Sequence, residues 1–186
     1  MISRIEPAVT VDDLDLMPED DNRYEVIDGE LFVSKAPGIT HQVVFGNLFL
    51  SLSLYFGDNP IGKVIAGPGL ILSKIDGVIP DLVVILNDRL AEVITGERLT
   101  AAPDLVVEVL SPGAANEQRD RVAKRQLYAK FGVKEYWIAD LQTHTIHVHV
   151  LDGNALALRA TYGEHDELQS SVLPNYRLEV GRVFSL

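Results

Sequence analysis

Two stretches decide the fold: Pro80-Asp81-Leu82-Val83-Val84-Ile85 and Pro103-Asp104-Leu105-Val106-Val107-Glu108-Val109. Both are short, β-branched, apolar runs entered through proline, which reads as buried strand. Such strands rarely hold a carboxylate inside, because a buried unpaired charge is expensive. Glu108, set within Val-Val-Glu-Val-Leu, therefore needs a partner, and a metal ion is the natural candidate. If the strands are antiparallel neighbours, the end of the second returns beside the start of the first. Glu108 then lies next to Asp81, and Asp104 falls at the far end of the ladder. Asp104 and Glu108 share a face by alternation, but four residues at about 3.3 Å each put them roughly 13 Å apart. Asp81 and Glu108 can share one ion; Asp104 and Glu108 cannot.

Working outward, residues 23–33 read as a β-hairpin turning at Asp28-Gly29. A helix is expected from about His41 to Phe56, capped by Thr40 or Ser34, with Val43, Val44, Leu48, Leu50 and Leu54 supplying its apolar surface. Val64 to Leu72 reads as one strand kinked by Gly67-Pro68-Gly69, and Asp76-Gly77 as a turn into the strand near Val78. A short helix is expected within Asp88 to Val93. Beyond the Ser111-Pro112-Gly113 breaker, a helix spans about Glu117 to Phe131, stopped by Gly132. Glu135 to Asp140 and Thr143 to Leu151 form a second hairpin, and the tail from Ala155 is mostly short strands. The order predicts a mixed α/β (α+β) fold around a central sheet.

A length of 186 residues suits one domain over 1–186, and 47% hydrophobic content excludes a disordered chain. The absence of cysteine excludes disulfides, thiolate zinc sites and cysteine nucleophiles. The opening Met-Ile-Ser-Arg-Ile-Glu-Pro lacks the apolar core of a signal peptide. The stretch from Val43 to Phe56 reads as too short and too mixed for a membrane span. A soluble cytoplasmic protein is the expectation. The net charge of −11 counts against nucleic-acid binding, since phosphates need local positive charge. Its distribution tempers that: Asp12, Asp13, Asp15, Glu19, Asp20 and Asp21 read as a solvated acidic surface, whereas Arg119, Arg121, Lys124, Arg125 and Lys130 read as one basic face.

With these residues placed, the chain resembles the Uma2 family of restriction-endonuclease-like proteins, within the PD-(D/E)XK nuclease superfamily. The matching elements are Tyr24-Glu25-Val26-Ile27-Asp28-Gly29-Glu30, His41, Pro80-Asp81 and the run from Pro103 to Pro112. They continue through Asp120, Lys124 and Tyr128 to Gly132-Val133-Lys134-Glu135-Tyr136-Trp137-Ile138-Ala139-Asp140, with Val172-Leu173-Pro174 and Val183-Phe184 in the tail. The resemblance implies a restriction-endonuclease-like core with flanking helices and an N-terminal hairpin. It also implies a Mg²⁺-dependent (or Mn²⁺-dependent) endonuclease acting on DNA, with Asp81 and Glu108 as its acids. Two after Glu108 stands Leu110 where the superfamily has lysine; the resemblance puts the lysine on the following helix, at Lys124, with Lys130 as the fallback. Glu25 is implied as a further ligand or supporting acid, and a homodimer would suit two-strand cleavage.

Mg²⁺ takes hard oxygen ligands and keeps several waters, which Asp81, Glu108 and the Val109 carbonyl would allow. Without metal, two clustered carboxylates repel and one tends to hold a proton. Asp120, Lys124 and Tyr128 lie along one helical stripe. Plainer alternatives stand beside these: Asp81 capping a strand, Glu108 paired with Lys124, Lys124 paired with Asp120 on a surface, and Glu25 solvated. His41 contacts phosphate or simply ends a helix. His147 and His149 share a strand face opposite His144, and an exposed edge hairpin explains them better than zinc does. Ser111 lacks a nucleophile elbow, and Gly67-Pro68-Gly69 lacks a phosphate-loop lysine. Two rival functions remain, a binding module on the same fold that cuts nothing and a hydrolase of small phosphate esters.

Overall fold

The computed structural model describes residues 8–185; the opening segment on which the signal-peptide reading rests lies outside the described residues. The first elements are helix α1 (Val11–Leu14) and strands β1 (Asn22–Ile27) and β2 (Glu30–Lys35). The hairpin turns at Asp28-Gly29, where both residues take positive φ, 49° and 77°. That pair of angles belongs to a type I′ turn, whose twist matches the strands.

Helix α2 (Ile39–Asp58) is longer than its periodicity predicts and is entered at Gly38, not capped by Thr40 or Ser34. Thr40 lies inside the first turn, and no side chain caps the end. The buried face carries His41, Val44, Leu48 and Leu52, while Leu50 and Leu54 of the expected apolar surface face solvent. By length and composition α2 could cross a membrane, so the segment is not too short as read. Leucines around the whole circumference hid which side packs.

Strands β3 (Gly62–Ala66) and β4 (Leu70–Ser73) replace the single kinked strand, because the chain leaves one sheet for another at Gly67. Asp76 and Gly77 lie within β5 (Asp76–Val78), and the turn falls at Lys74-Ile75. The middle of the chain supplies β6 (Leu82–Leu86), α3 (Leu90–Val93), β7 (Ile94–Thr95), β8 (Arg98–Leu99) and β9 (Leu105–Leu110). A continuous helical run then comprises α4 (Ala114–Glu117), a π-helical stretch (Gln118–Lys124) and α5 (Arg125–Phe131). The remainder is β10 (Glu135–Asp140), β11 (Thr145–Asp152), β12 (Ala155–Tyr162), β13 (Glu167–Gln169), β14 (Arg177–Glu179) and α6 (Val180–Phe184).

The central sheet runs β12-β11-β10-β9-β6-β3, with β9 and β10 parallel and the other neighbours antiparallel. A second sheet runs β2-β1-β5-β4-β8-β7. Alternation divides the central strands between two cores. Leu82, Val84, Leu105, Val107, Val109 and Trp137 pack under α2 and α6. Val83, Ile85, Val106, Tyr136 and Ile138 face the other way, onto Leu127 and Tyr128 of α5 and onto the second sheet. Both faces are covered, so every residue of β9 and β10 is buried and neither strand shows polar alternation. The hairpin of β10 and β11 is internal, with β12 outside it. His149 is accordingly buried against Tyr136, contrary to an exposed edge.

The stop at Gly132 follows from backbone geometry. Gly132 has φ 86°, its N–H donates to the Ala129 carbonyl and the Val133 N–H to the Tyr128 carbonyl, which closes a Schellman motif. A Cβ there meets nothing nearby, so only the left-handed backbone resists substitution. Gly132→Ala is expected to lower stability by about 1 kcal/mol, read as a melting point lower by about 2–4 °C.

Candidate active site

The ladder pairs Leu82 with Val107 and Val84 with Leu105, antiparallel, which sets Asp81 across from Glu108. The Val109 N–H donates to Asp81 Oδ2 at 2.8 Å, and the Asp81 N–H reaches Glu108 Oε2 at 3.4 Å. Each acid is thus fixed by the other's strand. Asp104 lies at the opposite end, as expected. It accepts from the Leu86 N–H, Arg89 and Lys134, and these contacts hold its carboxylate below the usual range despite burial.

Lys124 comes in from the π-helical stretch. Asp120 and Lys124, about one turn apart in this stretch, are both buried and point into the protein. The Lys124 side chain is only 1% exposed, and its Nζ lies 2.9 Å from both Glu108 Oε1 and Glu25 Oε1 and 3.8 Å from Asp120 Oδ1. This removes the surface-lysine alternative. The Tyr128 hydroxyl also donates to Glu108 Oε1 at 2.9 Å, so the Asp120–Lys124–Tyr128 stripe faces Glu108. Glu25 is buried, not solvated; its Oε1 accepts from the Ile79 N–H at 2.8 Å as well as from Lys124. Lys130, the fallback, is elsewhere, paired with Asp28 and Asp76.

Asp81 has a second set of neighbours that sequence reasoning did not assemble. His41 Nε2 is 3.2 Å from Asp81 Oδ2, and Arg23 Nη1 is 3.5 Å from Oδ1. Arg119 grips Asp120 through two hydrogen bonds, at 2.8 and 3.0 Å. Arg23 had a readable signal, since strand alternation puts it on the same face as Glu25 two residues on. Arg119 had none. The expected basic face does not exist as such: Lys124 is buried, Arg119 is committed to Asp120, and Arg121 is bonded to Asp140.

These groups line a cleft of about 630 Å³ whose walls include Arg23, His41, Asp81, Glu108, Val109 and Arg119. Four carboxylates, Asp81, Glu108, Glu25 and Asp120, meet three permanent cations, Lys124, Arg119 and Arg23. Glu108 is the acid most affected. Burial pushes its carboxyl up to about 8 against the pull of Lys124, with Asp81, Asp120 and Glu25 adding to the rise. Asp81 is also resisted by burial, but its bond to His41, the charge of His41 and the Val109 N–H hold it below the usual carboxylate range. Burial opposes the charge on Lys124, yet the three nearby acids raise its pKa, so it stays protonated. The pattern is the one expected of two clustered carboxylates, one ionised and one retaining a proton. Among the described residues no three histidine or carboxylate side chains converge as a metal cluster, which leaves the Asp81–Glu108 pair with backbone and water oxygens.

Residues 11–181 match the sequence model of the Uma2 family, described as "Putative restriction endonuclease". Among solved structures the fold is similar to "a putative nuclease belonging to DUF820 from Anabaena variabilis ATCC 29413", with TM-score 0.75 and 16% identity over 95% of this chain and 97% of that one. At that identity the likeness shows a shared fold. The type IIG restriction endonuclease BpuSI overlaps 81% of this chain and 16% of its own, at 15% identity; its TM-score of 0.41 is too low to carry an argument. No curated protein matches.

Proposed function

Because the chain belongs to the Uma2 family, we propose that it is a metal-dependent endonuclease that hydrolyses phosphodiester bonds in DNA, in the cytoplasm. The observation that carries this reading is the placement of Asp81 and Glu108 side by side on facing strands in the wall of the cleft. Two hard-oxygen donors, one of them pushed toward its protonated form by burial and by the neighbouring acids, suit a divalent ion such as Mg²⁺ or Mn²⁺. Asp81, Glu108 and the Val109 carbonyl would hold it. A bound ion would supply charge to polarise a phosphate and to acidify a water.

The remaining residues act through position and charge. Lys124 keeps the Glu108 carboxylate oriented and offsets negative charge gathering on the phosphate. Glu25 and Asp120 hold Lys124 in place from the other side. His41 fixes the Asp81 carboxylate, and Arg23 and Arg119 bring positive charge to the cleft wall, where a phosphodiester backbone would lie. A binding module that cuts nothing is the second reading, favoured by the nearly complete burial of Lys124 between two acids.

The test pairs cleavage with metal binding. Purified protein is incubated with supercoiled plasmid and with single-stranded DNA in Mg²⁺ or Mn²⁺, and Mn²⁺ binding is measured by calorimetry. Metal-dependent cleavage and Mn²⁺ binding, both lost in Asp81→Asn, are expected. Mn²⁺ bound without cleavage of either substrate supports the binding module, and no Mn²⁺ binding overturns the metal site.

A further inference from the structure

Among the described residues, none packs over much of a second face of helix α2. From Ile39 to Gly57 it carries no Asp, Glu, Lys or Arg. A helix whose outer side meets only water normally bears charge there. Instead Ile39, Leu50 and Leu54 are 83%, 56% and 62% exposed, and Phe49 is 36% exposed with its ring stacked beside Phe45. Ile39, Val43, Gly46, Leu50, Ser53 and Gly57 recur at alternating four- and three-residue steps, the spacing of a seam between two helices.

Gly46 sharpens the case. It sits mid-helix, where glycine costs about 1 kcal/mol relative to alanine. A Cβ built there meets nothing within 4 Å, so no contact among the described residues requires the small residue. A gap of this kind on a seam admits the backbone of another helix. Beside the stripe runs a groove bordered by Leu50, Leu54, Glu167, Arg177, Glu179 and Arg182. Its charges alternate in sign, in exposed pairs Arg177–Glu167 and Arg182–Glu179 at 2.8 and 2.7 Å. On a chain of net charge −11, this is a face that carries no net repulsion toward its own copy. Under a two-fold axis the arginines of one copy can meet the glutamates of the other.

We propose that the solvent face of α2 is a self-association surface, packing helix against helix with a second copy of this chain along the Ile39–Val43–Gly46–Leu50–Ser53–Gly57 seam. The seam begins at Ile39, which also lines the cleft, so assembly and cleft share one helix. The proposal does not rest on the nuclease reading, and its test reads mass and not cleavage.

Sedimentation equilibrium of the full chain between about 1 and 100 µM should give twice the 20.5 kDa monomer. Leu50→Arg and Leu54→Arg, both at exposed positions, should weaken dimerisation at least about 100-fold by placing like charges across the seam, with unchanged circular dichroism. The natural chain has no cysteine, which permits a second, background-free measurement. Oxidised Gly46→Cys should run as a covalent dimer, while Arg159→Cys on the far edge strand should not. A monomer throughout the range, a dimer that survives Leu50→Arg, or equal cross-linking of the two cysteine variants overturns the proposal. So does a chain that stays monomeric in buffer but binds phosphatidylcholine vesicles through this face.

Discussion

Lys124→Met should cost about 3–5 kcal/mol of folding stability, more than any other single change named for this protein. The lysine is a buried cation 2.9 Å from two buried acids, so its removal leaves Glu25 without its countercharge and takes a hydrogen-bond donor from Glu108. Methionine fills most of the stem volume, which separates the electrostatic loss from a cavity. Urea unfolding should show the drop, and the melting point should fall on the order of 10 °C. Removing one stranded charge restores part of the loss, so the double variant with Glu25→Gln should be more stable than Lys124→Met alone. Lys130→Met alters a half-exposed lysine whose nearer partner, Asp28, is exposed and whose buried partner, Asp76, keeps the Asp28 N–H and the Ser73 hydroxyl, so it should cost less than about 1 kcal/mol. A cost below about 1 kcal/mol for Lys124→Met would mean that water reaches the ammonium.

Glu108→Gln should do the reverse, leaving stability nearly untouched and removing the metal response. In the metal-free protein the Glu108 carboxyl is pushed up to about 8, so near neutrality it is mostly an uncharged acid that glutamine mimics. Its oxygen still accepts from Lys124 and Tyr128, so the change should stay within about 1 kcal/mol at pH 7. Adding Mg²⁺ or Mn²⁺ to the natural protein should raise its melting point, because a ligand that binds only the folded state stabilises it. That rise should vanish in Glu108→Gln. Cleavage should fall by more than about a hundredfold, since even the groups behind a metal ligand are worth 10–100-fold. An equal metal-induced rise in both proteins would place the ion elsewhere.

The contrast between these two variants reflects what was legible in the chain. Asp81 opposite Glu108 follows from strand period and antiparallel return alone, and the ladder obeys both. Asp104 is separated from them for the same reason. The helix-borne Lys124 needed the family resemblance, because nothing local distinguishes it from Lys130; only the π-helical winding and the acid of a distant hairpin bury one and expose the other. His41 was readable as a helix-start residue but not as the neighbour of Asp81, which depends on how α2 crosses the central sheet. The passage from β3 to β4 looked like one strand because Gly67-Pro68-Gly69 signals a bend without saying that the chain changes sheets. The basic run from Arg119 to Lys130 misled most. Charge read along a sequence does not reveal which residues a buried acid will claim.

Glu25, Asp81, Glu108 and Lys124 come from four elements, and the first and last lie at opposite ends of the span from residue 25 to residue 124. The short contacts that hold the four together are with residues far away in sequence. During synthesis Glu25 and Asp81 emerge well before the lysine, and the central sheet is incomplete until β10, which lies further on still, has left the ribosome. The cleft is therefore a late product of folding. A truncated or stalled chain carries the same residues without the arrangement, so any chemistry done there is restricted to finished molecules.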